Sequence, residues 1–204
     1  MPQDEGTRIA FKDIFLEDVY GLREITALPK TILDVGAHAG LFSLYARILF
    51  SDAVIHAYEP NPVMSPYLEH QARLGQFTVY NEGVGARSEA GRLAIGADSV
   101  FTQTVADSAG SVQITAFSEA VERIGGAVDL LKLDCEGCEW KVLEETDAMQ
   151  KVGAITMEYH LGDDLRLESL HDRLKSLGLT ISLSQPDGQT NGRIWAQRLA
   201  REHP

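Results

Sequence analysis

Short apolar runs alternate with segments of helical periodicity along most of this chain. The runs that predict strands are Thr31–Val35, Ala53–Tyr58, Phe77–Tyr80, Val128–Leu133 and Ala154–Tyr159. The segments that predict helices are Ala39–Phe50, Asn61–Leu74, Glu139–Glu145 and Leu165–Leu177. Because this alternation makes consecutive strands parallel, it predicts a parallel sheet with helices on both faces.

The end of the chain departs from the alternation. Two further strand-like segments, Thr180–Leu183 and Arg193–Leu199, are joined by a short connection that contains PDGQTNG. A connection of that length cannot hold a crossover helix, so the two strands should be antiparallel to one another. The predicted fold class is α/β, with a mostly parallel sheet and an antiparallel last strand.

Two segments are less regular. Glu82–Ser111 is rich in Gly, Ala and Ser, and is either a surface hairpin and loop or a mobile cover over a site. Met1–Lys30 predicts one or two helices that precede a single domain over residues 31–204. Its apolar stripe serves packing or substrate contact and consists of Ile14, Phe15, Val19, Leu22 and Ile25. We expect Met1–Lys30 and Gly85–Ser111 to shape the pocket for a second ligand.

The net charge of the chain limits the kinds of molecule that it is expected to bind. The chain of 204 residues carries 18 basic and 30 acidic side chains, a net charge of −12, without any cluster of Lys and Arg. Nucleic acids and anionic membrane surfaces are bound through such cations, so neither is an expected partner. The most apolar stretch, Ala37–Phe50, is shorter than the ~20 residues of a membrane helix, and the acidic N-terminus does not resemble a secretory signal. These features predict a soluble, cytoplasmic protein.

The only two cysteines, Cys135 and Cys138, form a C-x-x-C pair. A structural zinc site needs four ligands, and no second pair follows at the usual spacing. We interpret the cysteines as small residues that fill a tight turn in a reducing compartment. Half of a zinc site and a redox pair are the alternatives.

Two motifs stand where predicted strands end. DVGAHAG, from Asp34 to Gly40, follows the first strand, and Glu59 in AYEPNP follows the second. Ligands of open parallel sheets bind at this edge, where a carboxylate can hold a ribose diol. The D-x-G-x-x-x-G pattern lacks the middle glycine of a dinucleotide fingerprint, and an Asp there would repel phosphate. Together the motifs indicate an adenosine-type ligand with a charged tail that is not a phosphate.

From Ile32 to Tyr159 the chain resembles the class I methyltransferases, and specifically the FkbM family. The resemblance rests on LDVGAHAG, AYEPNP, Asn81-x-Gly83-Val84-Gly85 and the segment LLKLDCEGCEWKVLE at 130–144, which is similar to the family signature K-x-D-x-E-G-x-E. His38 stands where the family usually has Asn. The resemblance implies a Rossmann-like, seven-stranded sheet and S-adenosyl-L-methionine as the cofactor.

The resemblance also implies a set of cofactor contacts. The residues implied to surround the methionine part are Asp34, Gly36, Ala37, His38 and Gly40. Glu59 would hold the ribose hydroxyls, and Pro60 and Asn61 would line the adenosine. Glu82, Gly83 and Val84 would lie near the adenine, and Asp134 would face the methionine amino group or the acceptor.

An aliphatic hydroxyl needs a base to become a nucleophile. The candidates at predicted strand ends are Asp134, Glu136, Glu158 and His160, and an ordinary imidazole pKa near 6.5 makes His160 attractive. The same four could hold Mg²⁺ or a transition ion. Since no spacing demands it, we predict no metal. Lys132 is interpreted as a charge partner of these acids, and Glu139 as a carboxylate that stabilises a helix start.

The expected function is methyl transfer from S-adenosylmethionine to a hydroxyl on a small natural product or sugar. The preference for a hydroxyl follows from the family resemblance. One alternative is a non-catalytic module that binds S-adenosylmethionine. Another is a nicotinamide-dependent oxidoreductase. The D-x-G-x-x-x-G pattern and the antiparallel last strand argue against that alternative.

Overall fold

The computed structural model describes residues 2, 5–95, 102–162 and 165–199. Strands within these ranges are β1 Thr31–Val35, β2 Val54–Tyr58, β3 Thr78–Tyr80, β4 Gly83–Gly85, β5 Glu89–Ile95, β6 Thr102–Ala106, β7 Val112–Ala116, β8 Val128–Leu133, β9 Val152–His160, β10 Thr180–Asp187 and β11 Asn191–Gln197. The α-helices are α1 Glu5–Phe11, α2 Leu41–Leu49, α3 Ser65–Gly75, α4 Phe117–Arg123, α5 Glu139–Glu144, α6 Thr146–Met149 and α7 Leu167–Ser176. A π-helical turn at Lys12–Leu16 and a 3₁₀ turn at Leu22–Glu24 follow α1.

Seven strands form the central sheet in the order β10-β11-β9-β8-β1-β2-β3. The strands from β9 to β3 are parallel, and β11 is antiparallel to both of its neighbours. This confirms the predicted α/β class, the mostly parallel sheet and the antiparallel last strand. As a result, β1, β2, β8 and β9 end at the same edge of the sheet.

Apolar side chains cover both faces of the sheet. Leu33 and Leu131 point to one face, where they pack with α4, α5, α6 and α7. Ile32 and Leu130 point to the other, where they pack with α2, α3 and the N-terminal segment. Burial on both sides explains why these strands are almost continuous apolar runs.

The N-terminal stripe packs against the second of these faces. Ile14 and Leu22 are buried, and Phe15, Val19 and Ile25 are partly buried against the same cluster. Packing is therefore one role of the stripe. Ile14 and Val19 also line the cavity described below, so the alternative, substrate contact, stays open. None of the helices in the described ranges is long and apolar enough to cross a membrane.

The less regular segment forms a second sheet, in the order β4-β7-β5-β6. The antiparallel β5–β6 pair is the hairpin that the sequence suggested. The pairing of β4 with β7 and the helix α4 were not predicted, because β4 is short and its partner lies about thirty residues away. Residues 96–101 lie outside the described residues, so a mobile cover stays a prediction.

The final hairpin is tighter than its sequence suggested. β10 extends to Asp187 and pairs there with Asn191, so the turn holds only three residues. Much of β10 is exposed, because it is an edge strand. Its second half is polar, so the sequence there shows no alternation of apolar residues that would predict a strand.

Candidate active site

One cavity of about 370 Å³ opens at the edge where β1, β2, β8 and β9 end. The predicted cofactor residues on its wall are Gly36, Ala37, His38, Glu59, Pro60, Glu82, Gly83, Val84 and Asp134. All the predicted catalytic residues are there too: Asp134, Glu136, Glu158 and His160. Asp34, Gly40 and Asn61 are not on the wall and lie behind it.

The turn after β1 passes very close to the end of β8. Gly36 has a φ of +79°, and a Cβ at this position would lie 1.7 Å from the carbonyl oxygen of Asp134. The amides of Gly36 and Ala37 both donate to the carbonyl oxygen of Tyr58, at 3.0 and 2.9 Å. Only glycine satisfies both the close approach and the positive φ. The first glycine of the motif therefore joins the ends of three strands.

Glu59 has its carboxylate held from two sides. The amide of His38 donates to Oε2 and the amide of Asn61 to Oε1, both at 2.8 Å. The side chain is buried. Burial raises the pKa of this carboxyl, and the two amides oppose the rise. Each oxygen keeps a lone pair for one further donor, such as a hydroxyl of a ribose diol.

Lys132 lies between two carboxylates. Its Nζ is 3.3 Å from Asp34 Oδ1 and 3.5 Å from Asp134 Oδ2, and the side chain is buried. Burial lowers the pKa of Lys132, but the two aspartates outweigh burial and raise the pKa above its ordinary value. Lys132 therefore stays charged, as expected of a charge partner. Asp134 also accepts a hydrogen bond of 2.7 Å from the hydroxyl of Tyr20.

The expectation for Asp34 needs correction. The family resemblance implied contact with the methionine part of the cofactor, but the carboxylate is fully buried behind Lys132. It accepts a hydrogen bond of 2.7 Å from the hydroxyl of Ser43 on α2. Asp34 thus acts on the cavity through Lys132, whose side chain is on the wall.

The loop between β8 and α5 is closed by a disulfide bond between Cys135 and Cys138. The interpretation of these cysteines as reduced space-fillers is therefore wrong. The two residues between them are left-handed, with φ of 55° at Glu136 and 107° at Gly137. Glu139, which is fully buried, accepts the amides of Cys135 and Gly137 at 3.0 and 2.9 Å. Its carboxylate therefore organises the loop, beyond the predicted role at the helix start.

His160 extends from the end of β9 to this loop. Its Nδ1 is 3.3 Å from Glu139 Oε1, and its Nε2 is 3.4 Å from Glu136 Oε2. Burial lowers the pKa of His160, but Glu139, Glu136 and Asp134 outweigh it and raise the pKa to about 9. The sequence argument for His160 as a base assumed an ordinary pKa, whereas these carboxylates raise the pKa and favour the protonated imidazole at neutral pH.

Glu136 is better suited to accept a proton. Burial raises the pKa of its carboxyl, His160 lowers it and Asp134 raises it, giving a value of about 7. A base with a pKa near the working pH combines the ionised form with proton affinity. Glu136 therefore has the properties that the sequence argument assigned to His160.

Glu158 belongs to a second charged group on the same wall. Burial raises the pKa of its carboxyl, and Asp134 adds to the rise. Arg193, which faces Glu158 across the β9–β11 pair, has its Nε 3.8 Å from Glu158 Oε2 and a terminal nitrogen 3.6 Å from Asp13 Oδ2. These distances exceed those of hydrogen bonds, and no atom of the described ranges accepts a hydrogen bond from the buried Nε. The group thus keeps donors and acceptors free for a polar ligand.

Asp134, Glu136 and His160 each have one ligand atom within 4.8 Å of the others. That spacing could accommodate a divalent cation. Tyr20 and Lys132 already contact Asp134, and Glu139 already contacts His160, so two of the three side chains have other partners. The absence of a metal stays a prediction.

The short strand β4 forms another part of the cavity wall. Gly83 and Val84 of β4 lie on its wall beside Glu82. Glu82 accepts a hydrogen bond of 2.7 Å from Arg123 and a short one from the hydroxyl of Thr115. The resemblance implied an adenine ring near these residues, and that stays a prediction.

The comparison with protein families decides to which family this chain belongs. Residues 34–177 match the family described as the methyltransferase FkbM domain. The chain belongs to the FkbM methyltransferase family. Two curated proteins resemble this FkbM methyltransferase. One is the methyltransferase sdnD of Sordaria araneosa, 28% identical over 67% of this chain and 68% of sdnD. The other is the AMB antimetabolite synthetase AmbE of Pseudomonas aeruginosa, 25% identical over 88% of this chain but only 11% of AmbE.

Solved structures share the fold of this FkbM methyltransferase. A precorrin-6y C5,15-methyltransferase from Geobacter metallireducens is 15% identical, with a TM-score of 0.54 over 92% of both chains. A ribosomal protein L11 methylase from Lactobacillus delbrueckii is 14% identical, with a TM-score of 0.55 over 89% of this chain and 76% of that one. At these identities the similarity establishes the class I methyltransferase fold alone.

Several residues of the site were not found from the sequence. Tyr20 contacts Asp134 across 114 positions, and no sequence signal marks that contact. Arg193 could have been found, because the predicted final hairpin places it on a strand beside the sheet. Asp13, near the apolar stripe, reaches the cavity only because the N-terminal segment folds over α2.

Proposed function

We propose that this methyltransferase transfers the methyl group of S-adenosylmethionine to a hydroxyl group on a small polar acceptor, such as a natural product or a sugar. The observation that carries the proposal is the placement of two different carboxylates in one cavity. Glu59 offers lone pairs at the end of β2, and Glu136 lies in the loop after β8, with its Oε2 3.4 Å from His160 Nε2.

The residues of the cavity fit this cofactor. S-adenosylmethionine supplies an electrophilic methyl group on a positively charged sulfur. Glu59 has the acceptors that a ribose diol requires, and the glycine turn at Gly36 allows the backbone to approach a ligand. Asp134 adds negative charge on the wall, which suits a cationic ligand.

The acceptor half of the cavity supplies the base. Glu136 would take the hydroxyl proton as the new oxygen–carbon bond forms and the bond from the methyl carbon to sulfur breaks. The products would be a methyl ether, S-adenosylhomocysteine and a protonated carboxyl. His160 would hold Glu136 in place through its charge. The rest of the rate would come from alignment of the acceptor oxygen with the methyl carbon.

The polar wall and the relatives support a small acceptor. Glu158, Arg193 and Asp13 offer hydrogen-bonding groups suited to a hydroxyl-rich molecule. AmbE is by name an antimetabolite synthetase, which favours a natural-product acceptor. The net charge of −12 is unfavourable for nucleic acids and anionic membranes as partners.

Calorimetric titration with S-adenosylmethionine, S-adenosylhomocysteine and NAD⁺, with and without Mg²⁺, tests the cofactor. Micromolar binding of the two sulfur compounds and none of NAD⁺ supports the proposal. Binding of NAD⁺ alone would overturn it in favour of an oxidoreductase. A panel of sugars and hydroxylated metabolites, followed by release of S-adenosylhomocysteine, then tests transfer. Tight cofactor binding with no turnover on any member would favour a non-catalytic module.

A further inference from the structure

The disulfide bond lies in the wall of the active-site cavity. Both Cys135 and Cys138 line that cavity, together with Glu136 between them. Cys135 is partly exposed, whereas Cys138 is nearly buried. Disulfides that solvent can reach exchange with external thiols more readily than buried ones.

Two separate restraints hold the loop that carries Glu136. One is the carboxylate of Glu139, which accepts the amides of Cys135 and Gly137. The other is the disulfide, which fixes the Cα atoms of its cysteines 5.5 Å apart. Reduction removes only the second restraint.

Glu136 is the residue that depends most on this restraint. It has a φ of 55°, a conformation that is unfavourable for a residue with a Cβ unless its surroundings enforce it. Among the residues that the structure describes, its side chain is held by one contact of 3.4 Å, with His160 Nε2. Once the disulfide opens, the backbone can return to a right-handed conformation, which turns the carboxylate away from His160.

The cofactor half of the cavity does not depend on the disulfide. Asp134 is anchored by Tyr20 and Lys132. Glu59 is anchored by the amides of His38 and Asn61. None of these contacts involves the loop between the cysteines, so reduction should change the acceptor half of the site alone.

We propose that Cys135 and Cys138 form a reversible thiol–disulfide site whose redox state sets the position of Glu136 and, through it, the rate of methyl transfer. The effect on rate rests on the function proposed above, whereas the redox chemistry itself does not. The reductant is a dithiol. Its thiolate attacks Cys135 Sγ, the bond between the cysteines breaks and Cys138 leaves as a thiolate. The second thiol of the reductant then releases the mixed disulfide, so the protein gains two electrons and two protons and the reductant becomes a disulfide.

The first test follows the cysteines without any need for turnover. Oxidised wild-type protein, before and after treatment with dithiothreitol, is alkylated with iodoacetamide. Mass spectrometry then gives the number of alkylated cysteines in each sample. We expect alkylation of both cysteines only after reduction, and reversal on reoxidation. Alkylation of both in the oxidised sample would overturn the proposal.

The second test follows the loop. In a Trp195→Phe background Trp140, two residues beyond Cys138, is the single tryptophan. Its emission should change on reduction, and should not change in the Cys135→Ser/Cys138→Ser variant. Identical emission from both redox states of the parent would contradict a moving loop. If the double variant does not fold, the comparison of the two redox states of the Trp195→Phe parent still decides.

The third test links the loop to catalysis. Reduction should slow turnover of the acceptor found by screening about tenfold, which corresponds to about 1.4 kcal/mol, with the Kd of S-adenosylhomocysteine unchanged within about twofold. In Glu136→Gln the effect of reduction on turnover should disappear, because the disulfide acts through that carboxylate. An effect that persists in Glu136→Gln would overturn the proposal. Failure to bind S-adenosylhomocysteine in either redox state would instead contradict the proposed function.

Discussion

The ammonium of Lys132 lies 3.3 Å from Asp34 Oδ1, and both side chains are almost completely removed from solvent. The pair connects β1 with β8 in the register Asp34–Lys132, with Lys132 on the cavity wall and Asp34 behind it. The same ammonium reaches Asp134 on the cavity wall. A buried ion pair therefore couples the centre of the fold to the site.

Replacement of Lys132 by Met should destabilise the protein strongly. Removal of one partner leaves the buried charge of Asp34 uncompensated, which costs about 3–5 kcal/mol. Urea unfolding measures the change. Lys151→Met is the matched control, because Lys151 pairs with Glu122 at an exposed position, where such pairs contribute about 0–1 kcal/mol. Equal losses in the two variants would show that burial of the Lys132 pair is not important.

Glu59→Gln should weaken binding of S-adenosylhomocysteine by about 10- to 100-fold. Gln has one acceptor oxygen in place of two and no charge, so a ribose hydroxyl loses a hydrogen bond to a charged group, worth about 1.5–3 kcal/mol. Calorimetry gives the Kd. Glu69→Gln, an exposed position on α3, is the control and should bind normally. Unchanged affinity in Glu59→Gln would remove Glu59 from the cofactor site.

Glu136→Gln should reduce turnover about 10²- to 10⁴-fold, the usual contribution of a general base. The wild-type rate should rise with pH through about 7, where Glu136 ionises under the influence of Asp134, His160 and Glu139, and the variant should lose this rise. Steady-state rates as a function of pH test both points. Glu144→Gln, exposed on α5, serves as the control. A variant that keeps the pH-dependent rise would exclude Glu136 as the base.

The stability of the protein should fall as the pH rises from about 6.5 to above 9. The folded pKa of His160 is raised to about 9 from its ordinary 6.5, so its stabilising contribution is complete below 6.5 and is lost as the pH passes 9. Glu136 acts in the same direction at lower pH, because its raised pKa favours the folded state only while its carboxyl is protonated. Urea unfolding across this range should show a flatter profile for His160→Gln. An equally steep profile in the variant would assign the effect to other groups.

The parts of the fold that follow from local pattern could be predicted. The parallel strands are buried on both faces, so their apolar runs are plain in the sequence, and the final hairpin carries its own turn signal. The β4–β7 pairing was not found, because Gly83–Gly85 is too short to show a pattern and its partner is distant.

The candidate site, too, could be predicted only in part. The side chains at strand ends were found because a parallel sheet brings those ends together. Their protonation could not be predicted, since the pKa of His160 depends on Glu139 and Glu136, which approach it only through the folded loop. The disulfide was misread because C-x-x-C spacing does not reveal the redox state of the pair.

Gly36→Ala should disrupt the site as well as the fold. Both Gly36 and Gly125 have a positive φ, so an alanine at either position is strained by about 1–2 kcal/mol. A Cβ at Gly125 meets nothing within 4 Å, whereas one at Gly36 would lie 1.7 Å from the Asp134 carbonyl oxygen. The Gly36 variant must therefore separate the ends of β1 and β8, with a greater loss of stability and of affinity for S-adenosylhomocysteine. Gly125→Ala should bind normally. Urea unfolding and calorimetry on the two variants separate the effect of the steric clash with Asp134 from the effect of backbone strain. Equal stability and equal affinity in the two variants would mean that the close approach of β1 to β8 is not needed for the site.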